Sequence, residues 1–345
     1  MSNDTKTPQC GALWILMLTL FLQGCESIPE SEVQRFEFQR MEMGLMFRMA
    51  LHAPDEAAAK SAAKAAFDRI RELNSILSDY EDDSELNQVR HSSGSGRWIK
   101  VSPELWKVMR AADRFSRDSG GAFDVTAGPL IQLWKRARRQ RALPAPDRLA
   151  EARTRVGHYY IGFRTKDRSL VLWRQGIRLD LGGIAKGYAM DEAMRVLEAH
   201  GIRSALISGG GDLVASAAPP GKPAWKIELP TLSGGGAPRF VALVNAAFAT
   251  SGDRFQFVLL DGKRYSHIVD ARSGQALSDR ALVYVVAPSG MIADALATSA
   301  SVLTGDEAVQ LAKKNGALIS VTRERENNRI RSESIGFESR LWPVD

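Results

Sequence analysis

Two side chains one helical turn apart, Asp294 and Thr298, are the first candidates for chemistry in this sequence. They lie in the segment "IADALATSASVL", whose small residues predict a helix, so both side-chain oxygens would face the same way. A carboxylate and a hydroxyl in this arrangement suit a hard cation such as Mg²⁺ that is held partly by substrate phosphates. The alternative is structural, because an isolated aspartate on an alanine-rich helix is usually a cap or a surface charge.

Two glycine turns that adjoin an aspartate indicate a second kind of chemistry. "IRLDLGGIAKG" places Asp180 at the end of a predicted strand and Lys186 in the following turn, and "SGGGDL" (208–213) is a second turn of this type. Glycine turns let backbone amides point at an anion, and a helix that follows adds the positive end of its dipole. Neither turn matches the Walker A or dinucleotide-binding pattern, so each alone is more typical of a structural turn. Together they favour a ligand that carries phosphate.

Two further segments hold side chains that could contact a ligand. In "GGAFDVTAGPL" (120–130), Phe123 could stack on an aromatic ring while Asp124 binds its polar edge. Alternatively, Phe123 lies in the core and Asp124 caps the loop. In "KRYSHIVDARSGQ", His267 could act as a base near neutral pH, although a lone histidine is more often structural.

Helices and strands of both periodicities must position these residues. Helical patterns predict helices at about Asp55–Leu77, from Ser102 to Gly120, at Tyr188–His200 and in "ADALATSASVLTG" and "GDEAVQLAKKNG". Alternating patterns predict one strand over Phe36–Leu51 and several shorter ones, among them "IRLDL", and "LPAPDR" predicts a polar loop. This mixture predicts an α+β fold in which mixed or antiparallel sheets pack with several helices.

Composition and charge limit the classes of partner. The 345 residues carry a formal net charge of +6, and much of the excess lies in "WKRARRQR" (Trp134–Arg141). A solvated helix face explains this run better than a nucleic-acid or membrane patch, because no nucleic-acid motif accompanies it. We therefore expect no nucleic-acid partner.

The N-terminus predicts export and lipidation. Residues 10–24 are apolar but too short to span a bilayer comfortably, and Leu22-Gln23-Gly24-Cys25 resembles a bacterial lipobox. We expect a lipoprotein signal peptide over residues 1–24, a lipidated tether over 25–40 and a catalytic domain over 41–345. Cys10 would be removed and Cys25 lipidated, which leaves no thiol chemistry and places the protein in the bacterial cell envelope, facing the periplasm. An uncleaved membrane anchor is the alternative.

Seven segments in order resemble the FAD:protein FMN transferases, the ApbE-type flavin transferases: "SDYEDDSELNQV", "GGAFDVTAGPL", "LDLGGIAKGYAMD", "SGGGDL", "ATSGD", "RYSHIVDARSG" and "ADALATS". The resemblance covers about residues 41–303 and implies an ApbE-like (T-fold-like) architecture. It implies Mg²⁺-dependent transfer of the FMN half of FAD to a threonine or serine hydroxyl of an acceptor protein, with release of AMP. The acceptor would belong to a membrane or periplasmic redox complex.

The resemblance also implies which residues form the site. The metal would be held by the Asp294 carboxylate, the Thr298 hydroxyl and the backbone carbonyl of Gly183. His267 would deprotonate the acceptor hydroxyl, with Asp180 as its rival for this role. The sequence departs from the family at Leu45, where a threonine is usual, and at Ala271, where a proline is usual. FAD would contact Met43, Tyr80, Ala122, Phe123, Asp124, Asp180, Lys186 and Ile268.

Two other functions stay open at the level of the sequence. The same site could hydrolyse FAD to FMN and AMP, with water as the acceptor. The chain could also be a lipid-anchored flavin-binding protein without catalysis. The Asp294–Thr298 pair favours catalysis, since binding alone does not require a metal at that place.

Overall fold

The structure, a computed structural model, describes residues 33–232, 237–252, 257–325 and 329–342. Within these ranges the chain forms both helices and antiparallel strands, which confirms the predicted α+β fold. No helix in the described ranges is both long and apolar enough to cross a membrane. The predicted signal peptide and Cys25 lie outside the described residues.

The strands of the described chain are β1 (Gln34–Glu42), β2 (Leu45–Ala53), β3 (Ile99–Lys100), β4 (Ile161–Arg164), β5 (Ser169–Leu172), β6 (Ala205–Gly209), β7 (Asp212–Ala215), β8 (Trp225–Glu228), β9 (Phe240–Leu243), β10 (Ala246–Gly252), β11 (Phe257–Leu260), β12 (Lys263–Ser266), β13 (Arg280–Ala287), β14 (Leu318–Arg325) and β15 (Arg329–Ile335). Eight of them form one antiparallel sheet in the order β1-β2-β6-β7-β10-β13-β14-β15. Three small sheets, β3-β5-β4, β8-β9 and β11-β12, lie outside it.

The helices are α1 (Glu56–Leu77), α2 (Glu85–His91), α3 (Pro103–Asp118), α4 (Gly128–Gln140), α5 (Pro146–Arg153), α6 (Ala185–Ala199), α7 (Gly290–Val302) and α8 (Gly305–Lys314). Side-chain caps explain several starts: Asp55 accepts a hydrogen bond from the Ala58 amide, and Ser102 accepts one from the Leu105 amide. Both caps confirm the starts predicted for the first two long helices.

The large sheet separates two hydrophobic cores. Helices α1, α6 and α7 pack next to one another, and α6 and α7 also contact β7. Along β10, Ala247 and Ala249 belong to the core under these helices, whereas Phe248 belongs to a second core with Trp225 and Phe337. This alternation follows from the period of two in a strand. The sheet is therefore covered on both faces.

Two predicted strands differ from the structure. The segment Phe36–Leu51 is a hairpin, because Met43 (φ 50°) and Gly44 (φ 71°) form a two-residue turn between β1 and β2. "IRLDL" is extended, but among the described residues it pairs only through a parallel bridge between Arg178 and Ala127. Its apolar residues alternate because one side of this extended segment faces the core.

Other elements also differ from the prediction in their boundaries or were not predicted. Helix α6 begins at Ala185, not Tyr188, so Lys186 lies in its first turn. The "LPAPDR" region contributes to α5, and β12 and β15 were not predicted. Strand β1 pairs with β2 along its whole length, so the folded chain already includes Gln34, within the predicted tether of residues 25–40.

Candidate active site

Helices α6 and α7 cross where two glycines bring their backbones into contact. A Cβ at Gly187 would lie 2.0 Å from the Gly290 carbonyl oxygen, and one at Gly290 would lie 2.5 Å from the Gly187 carbonyl oxygen. Beside this crossing, the Asp191 carboxylate on α6 accepts hydrogen bonds from the amides of Gly290 (2.6 Å) and Met291 (2.9 Å) in the first turn of α7. These contacts hold the first turn of α6 next to Asp294.

Lys186 is surrounded by oxygen atoms at this α6–α7 junction. Its Nζ lies 3.0 and 3.1 Å from the two Asp294 carboxylate oxygens and 2.6 Å from the Gly182 carbonyl oxygen. Burial alone would lower the Lys186 pKa, but the carboxylates of Asp294 and Asp212 outweigh burial and raise this pKa. The Gly187 amide also donates to Asp294 Oδ2 at 3.2 Å. The junction thus pairs a charged lysine with a hydrogen-bonded carboxylate.

Asp212 is a second carboxyl group at the junction. It lies at the start of β7, is 4% exposed, and its Oδ2 is 3.7 Å from Lys186 Nζ. Burial, reinforced by the nearby Asp294 carboxylate, raises the pKa of Asp212 to about 8, although Lys186 opposes the shift. An additional cation nearby would favour the ionised form of this carboxyl group.

The residues predicted to hold a metal lie together at the junction. A Cβ at Gly183 would lie 2.8 Å from Thr298 Oγ1, so the glycine turn packs directly on this hydroxyl, one helical turn from Asp294. No cluster of three or more His, Cys, Asp or Glu side chains suited to a metal occurs in the described ranges. Hydroxyl and carbonyl donors would therefore have to complete the site. Such hard oxygen donors fit Mg²⁺, and several already converge on the ammonium of Lys186.

Asp180 links the junction to an exposed aromatic ring. Its Oδ1 accepts a hydrogen bond from the Gly182 amide (2.9 Å), and its Oδ2 lies 3.7 Å from Lys135 Nζ. Lys135 in turn donates to the Tyr80 hydroxyl at 2.8 Å. The Tyr80 side chain is 75% exposed, so its ring is accessible to a ligand.

The Ala122-Phe123-Asp124 run lies next to Asp180, but Phe123 is not placed for the predicted stacking on an aromatic ring of a ligand. The Asp180 amide donates to the Val125 carbonyl at 2.8 Å, which places the run beside the site. Phe123 is buried and packs against Phe115 with ring centroids 6.1 Å apart, so its ring does not offer a face for stacking. Of the two alternatives for Phe123, the structure therefore shows the second, in which the ring lies in the core.

Asp124 acts as a loop cap in this structure. Its Oδ1 accepts hydrogen bonds from the amide and hydroxyl of Thr126, and its Oδ2 accepts one from the His158 amide. Burial nevertheless raises the pKa of Asp124, because these bonds only partly offset the loss of solvent. The carboxylate thus orders the loop that borders the site.

The hairpin and the second glycine turn close the other side of the junction. A Cβ at Gly210 would lie 2.9 Å from Leu45 Cδ1 and 3.7 Å from two methylene carbons of Lys186. Leu45, one of the two departures from the family, therefore lies beside Lys186. Met43 is at the tip of the same hairpin, partly buried against the core.

His267 and Ile268 follow β12 in a segment that packs on α4. Both residues are half-buried, and the Ile268 amide donates to Ser266 Oγ at 3.1 Å. The segment is fixed by Tyr265, which stacks on Trp134 with centroids 5.2 Å apart. His267 thus lies in the segment that borders the helix of Lys135.

Sequence reasoning missed several residues that form the site. The sequence predicts a solvated helix face for Lys135 and indicates no role for Asp212 beyond its turn. The sequence indicates no role for Asp191 or Gly187, since "AKGYAMD" does not reveal which helix it contacts. Only Asp212 carried a signal, because it is an acidic residue directly after a glycine turn.

Comparison with known proteins assigns the chain to a family. Among the curated relatives, the FAD:protein FMN transferase of Haemophilus influenzae is 32% identical over 281 residues, which cover 78% of this chain and 80% of the relative. The FAD:protein FMN transferase of Salmonella typhimurium is 29% identical over 341 residues, which cover 95% of this chain and 94% of the relative.

Solved structures show the same architecture. The flavin transferase ApbE from Vibrio cholerae superposes with a TM-score of 0.81 at 26% identity, covering 90% of this chain and all of that one. The apo flavinyl transferase ApbE of Pseudomonas stutzeri gives a TM-score of 0.78 at 27% identity, with 89% and 96% covered. The model of the ApbE family matches residues 43–321. The chain belongs to the ApbE family.

Proposed function

We propose that this protein is an FAD:protein FMN transferase that moves the FMN half of FAD to a threonine or serine hydroxyl of an acceptor protein. The observation that carries the proposal is the α6–α7 junction, where Lys186, Asp294, Asp212 and Thr298 gather beside two glycine turns. Membership of the ApbE family and relatives named FAD:protein FMN transferase support the same reaction.

The reaction is a phosphoryl transfer at the FMN side of the pyrophosphate. The acceptor hydroxyl oxygen forms a bond to that phosphorus, and the bond from the phosphorus to the bridging oxygen breaks. AMP leaves with the bridging oxygen, and the hydroxyl proton passes to a base. Such a transfer needs alignment and charge stabilisation more than covalent help from the enzyme.

The residues of the chain suit these tasks. The Lys186 ammonium would stabilise charge on the phosphates, and the Gly210 turn packs on the methylene carbons of this side chain. The exposed ring of Tyr80 would stack on one of the planar rings of FAD. Met43, Ala122, Phe123, Asp124, Asp180 and Ile268 would border the substrate, with Phe123 contributing through its backbone.

The base and the metal complete the proposal. We assign the base to His267, because histidine is the side chain that most often serves as a general base, and Asp180 stays its rival for this role. Mg²⁺ would be held by Asp294, Thr298 and the Gly183 carbonyl, and would supply neutralisation of charge on the departing phosphate.

We also propose a location and a partner class. Cys25 would carry a lipid that holds the protein at the cell envelope, facing the periplasm, because residues 10–25 resemble a signal peptide with a lipobox. The acceptor would then be a subunit of a membrane or periplasmic redox complex.

The direct test incubates the full-length protein in detergent with FAD, with and without Mg²⁺, and with and without a candidate acceptor from the same envelope. AMP release and in-gel flavin fluorescence of the acceptor are followed together. The proposal predicts both signals, and only with Mg²⁺. AMP without a labelled acceptor, for every acceptor tried, would favour hydrolysis, whereas intact FAD in all conditions would identify a flavin-binding protein without catalysis.

A further inference from the structure

The basic run predicted to be a solvated helix face forms one wall of a cleft. This α4–α5 cleft has a volume of about 620 Å³, which is in the range of ligand sites. Cationic side chains dominate its lining, with two acidic side chains, Asp79 and Glu151, against six cations: Lys135, Arg136, Arg139, Arg148, Arg155 and Arg178. The cleft therefore has a formal excess of four positive charges.

The spacing along α4 explains why the charges gather in the cleft. Lys135, Arg136 and Arg139 lie on one face, since Arg139 follows Lys135 by four residues and Arg136 by three, while Trp134 is buried on the other. Helix α4 contains no acidic residue that could neutralise this face. Like charges at this spacing oppose one another, so the pattern is unfavourable for the isolated helix.

Part of this charge has no internal partner. Arg148 and Arg155 share Glu151 on α5, and Arg178 donates to the Asp79 carbonyl oxygen at 3.3 Å. Arg136 and Arg139 are exposed, and within the described part of the chain neither makes an ion pair or a side-chain hydrogen bond. Two unpaired guanidinium groups thus face the solvent at the outer end of the cleft.

The inner end of the cleft reaches the proposed catalytic site. Tyr80 and Lys135 line the cleft, and Lys135 lies 3.7 Å from Asp180 Oδ2. The phosphates of FAD are already matched by Lys186 and the glycine turns, so the outer arginines are not needed for them. An acceptor segment must nevertheless approach this site from solvent to present its hydroxyl.

We propose that the outer α4–α5 cleft, through Arg136 and Arg139, docks an acidic segment of the acceptor protein and guides its hydroxyl to the site. The inference rests on the proposed transferase function. Carboxylates complement the unpaired guanidinium groups, which bind them with directional hydrogen bonds. A concave, charged cleft that opens towards Tyr80 suits a peptide segment better than a flat lipid surface. Complementary charge of this kind mainly accelerates association, and salt weakens it.

The test measures binding of two fluorescent peptides to the full-length protein in detergent, by anisotropy. One peptide carries a single threonine flanked by Asp and Glu residues, and in the other these are replaced by Asn and Gln. The Arg136→Glu/Arg139→Glu variant is compared with the wild type and with Arg138→Glu, a single charge reversal on the same helix outside the cleft lining. Thermal unfolding of each variant verifies that it folds.

We expect the acidic peptide to bind the wild type more tightly than the neutral one, and more weakly as salt increases. The double reversal should raise its Kd by about tenfold or more, while Arg138→Glu should leave it nearly unchanged. The Kd for FAD, measured by quenching of flavin fluorescence, should not change in either variant.

Three results would overturn the docking proposal. The first is equal binding of the acidic peptide to the wild type and the double reversal. The second is a weakened FAD affinity in the double reversal, which would assign the arginines to the FAD site. The third comes from a separate assay, co-sedimentation with vesicles that contain anionic lipid. If the double reversal loses binding to these vesicles but keeps binding to the acidic peptide, the face is a membrane contact. Failure of the transferase function itself would appear separately, as intact FAD with wild-type protein, Mg²⁺ and acceptor.

Discussion

At the scale of single residues, the α6–α7 junction concentrates opposite charges in little space. Asp294 is only 4% exposed, and both of its oxygens receive donors from Lys186 or the Gly187 amide. A carboxylate so held is oriented before any substrate arrives, which is the arrangement that catalysis by charge stabilisation requires. Changes at this carboxylate should therefore affect chemistry more than folding.

Asp294→Asn should abolish transfer while the protein stays folded. The amide keeps the shape of the side chain but removes the charge that would hold the metal and pair with Lys186. AMP release at saturating FAD should fall by about a hundredfold or more. Asp167→Asn, which alters a surface pair with Arg164, is the control and should leave the rate unchanged. A wild-type rate for Asp294→Asn in metal-buffered assays would rule out the metal assignment.

Gly183→Ala tests the packing of the glycine turn on Thr298. The new Cβ would lie 2.8 Å from the Thr298 hydroxyl oxygen and displace it from its place beside the glycine turn. The Mg²⁺ concentration that gives half-maximal AMP release should rise by about tenfold, because one neutral donor is misplaced. An unchanged Mg²⁺ requirement would show that Thr298 is not a ligand. The FAD affinity without Mg²⁺ serves as the control and should stay the same.

Sequence reasoning could name the polar residues of the site but not their packing. Asp294, Thr298, Gly183 and Lys186 belong to ordered motifs, and the structure brings all four together. The burial of Phe123 was not predictable, because a phenylalanine in a glycine-rich loop can face either the core or a ligand. Contacts such as Lys135 to Asp180 join residues far apart in the chain, which local patterns do not reveal.

At the scale of elements, the crossing of α6 and α7 determines where the site forms. The Gly187–Gly290 contact sets the distance between the helices, and Asp191 fixes the start of α7 relative to α6. Since Asp294 is on the second turn of α7, a shift of that helix start moves the carboxylate away from Lys186. Asp191 is thus a positioning residue.

Asp191→Ala should lower the free energy of unfolding and weaken the activation of the enzyme by Mg²⁺. It removes two hydrogen bonds from amides at the start of α7, which should cost about 1 to 2 kcal/mol of the free energy of unfolding. Thermal or denaturant unfolding measures this loss. The Mg²⁺ concentration that gives half-maximal AMP release should rise, while the affinity for FAD stays the same. The exposed Glu198→Ala on the same helix provides the matched control. A variant that loses stability but keeps the wild-type Mg²⁺ response would show that Asp191 supports the fold alone.

The long helices were predictable from local signals, whereas several strands were not. The caps Asp55 and Ser102 stand directly before helical patterns, and both helices start where expected. The β1–β2 hairpin was missed because Met43-Gly44 is not one of the usual turn pairs and apolar alternation continues around it. The segment Ile177–Leu181 has the alternation of a strand, but within the part of the chain that the structure describes it bridges one residue, Ala127, and this pairing depends on tertiary contacts.

At the scale of the whole molecule, the eight-stranded sheet joins segments from both ends of the described chain. Strand β2 pairs with β6, and β10 lies between β7 and β13, so the two glycine turns and α7 meet at one place. The fold class followed from the mixture of patterns, but this strand order rests on long-range pairing. The family resemblance, not periodicity, supplied the expected architecture.

The N-terminal segment should determine where the protein resides. If Cys25 is lipidated, the wild type should partition into the membrane fraction, and Cys25→Ser should lack the lipid. Fractionation together with mass spectrometry of the N-terminal peptide measures this. An unmodified Cys25 in membrane-bound wild type would favour an uncleaved anchor instead.

The most direct test of the proposed reaction is its stoichiometry on an acceptor. After reaction with FAD and Mg²⁺, released AMP is quantified, and the digested acceptor is analysed by mass spectrometry for flavin attached through phosphate. A transferase predicts one AMP for each FMN attached, with the FMN on a threonine or serine. AMP released while every tested acceptor stays unmodified would contradict the transferase and identify a hydrolase that uses water as its acceptor.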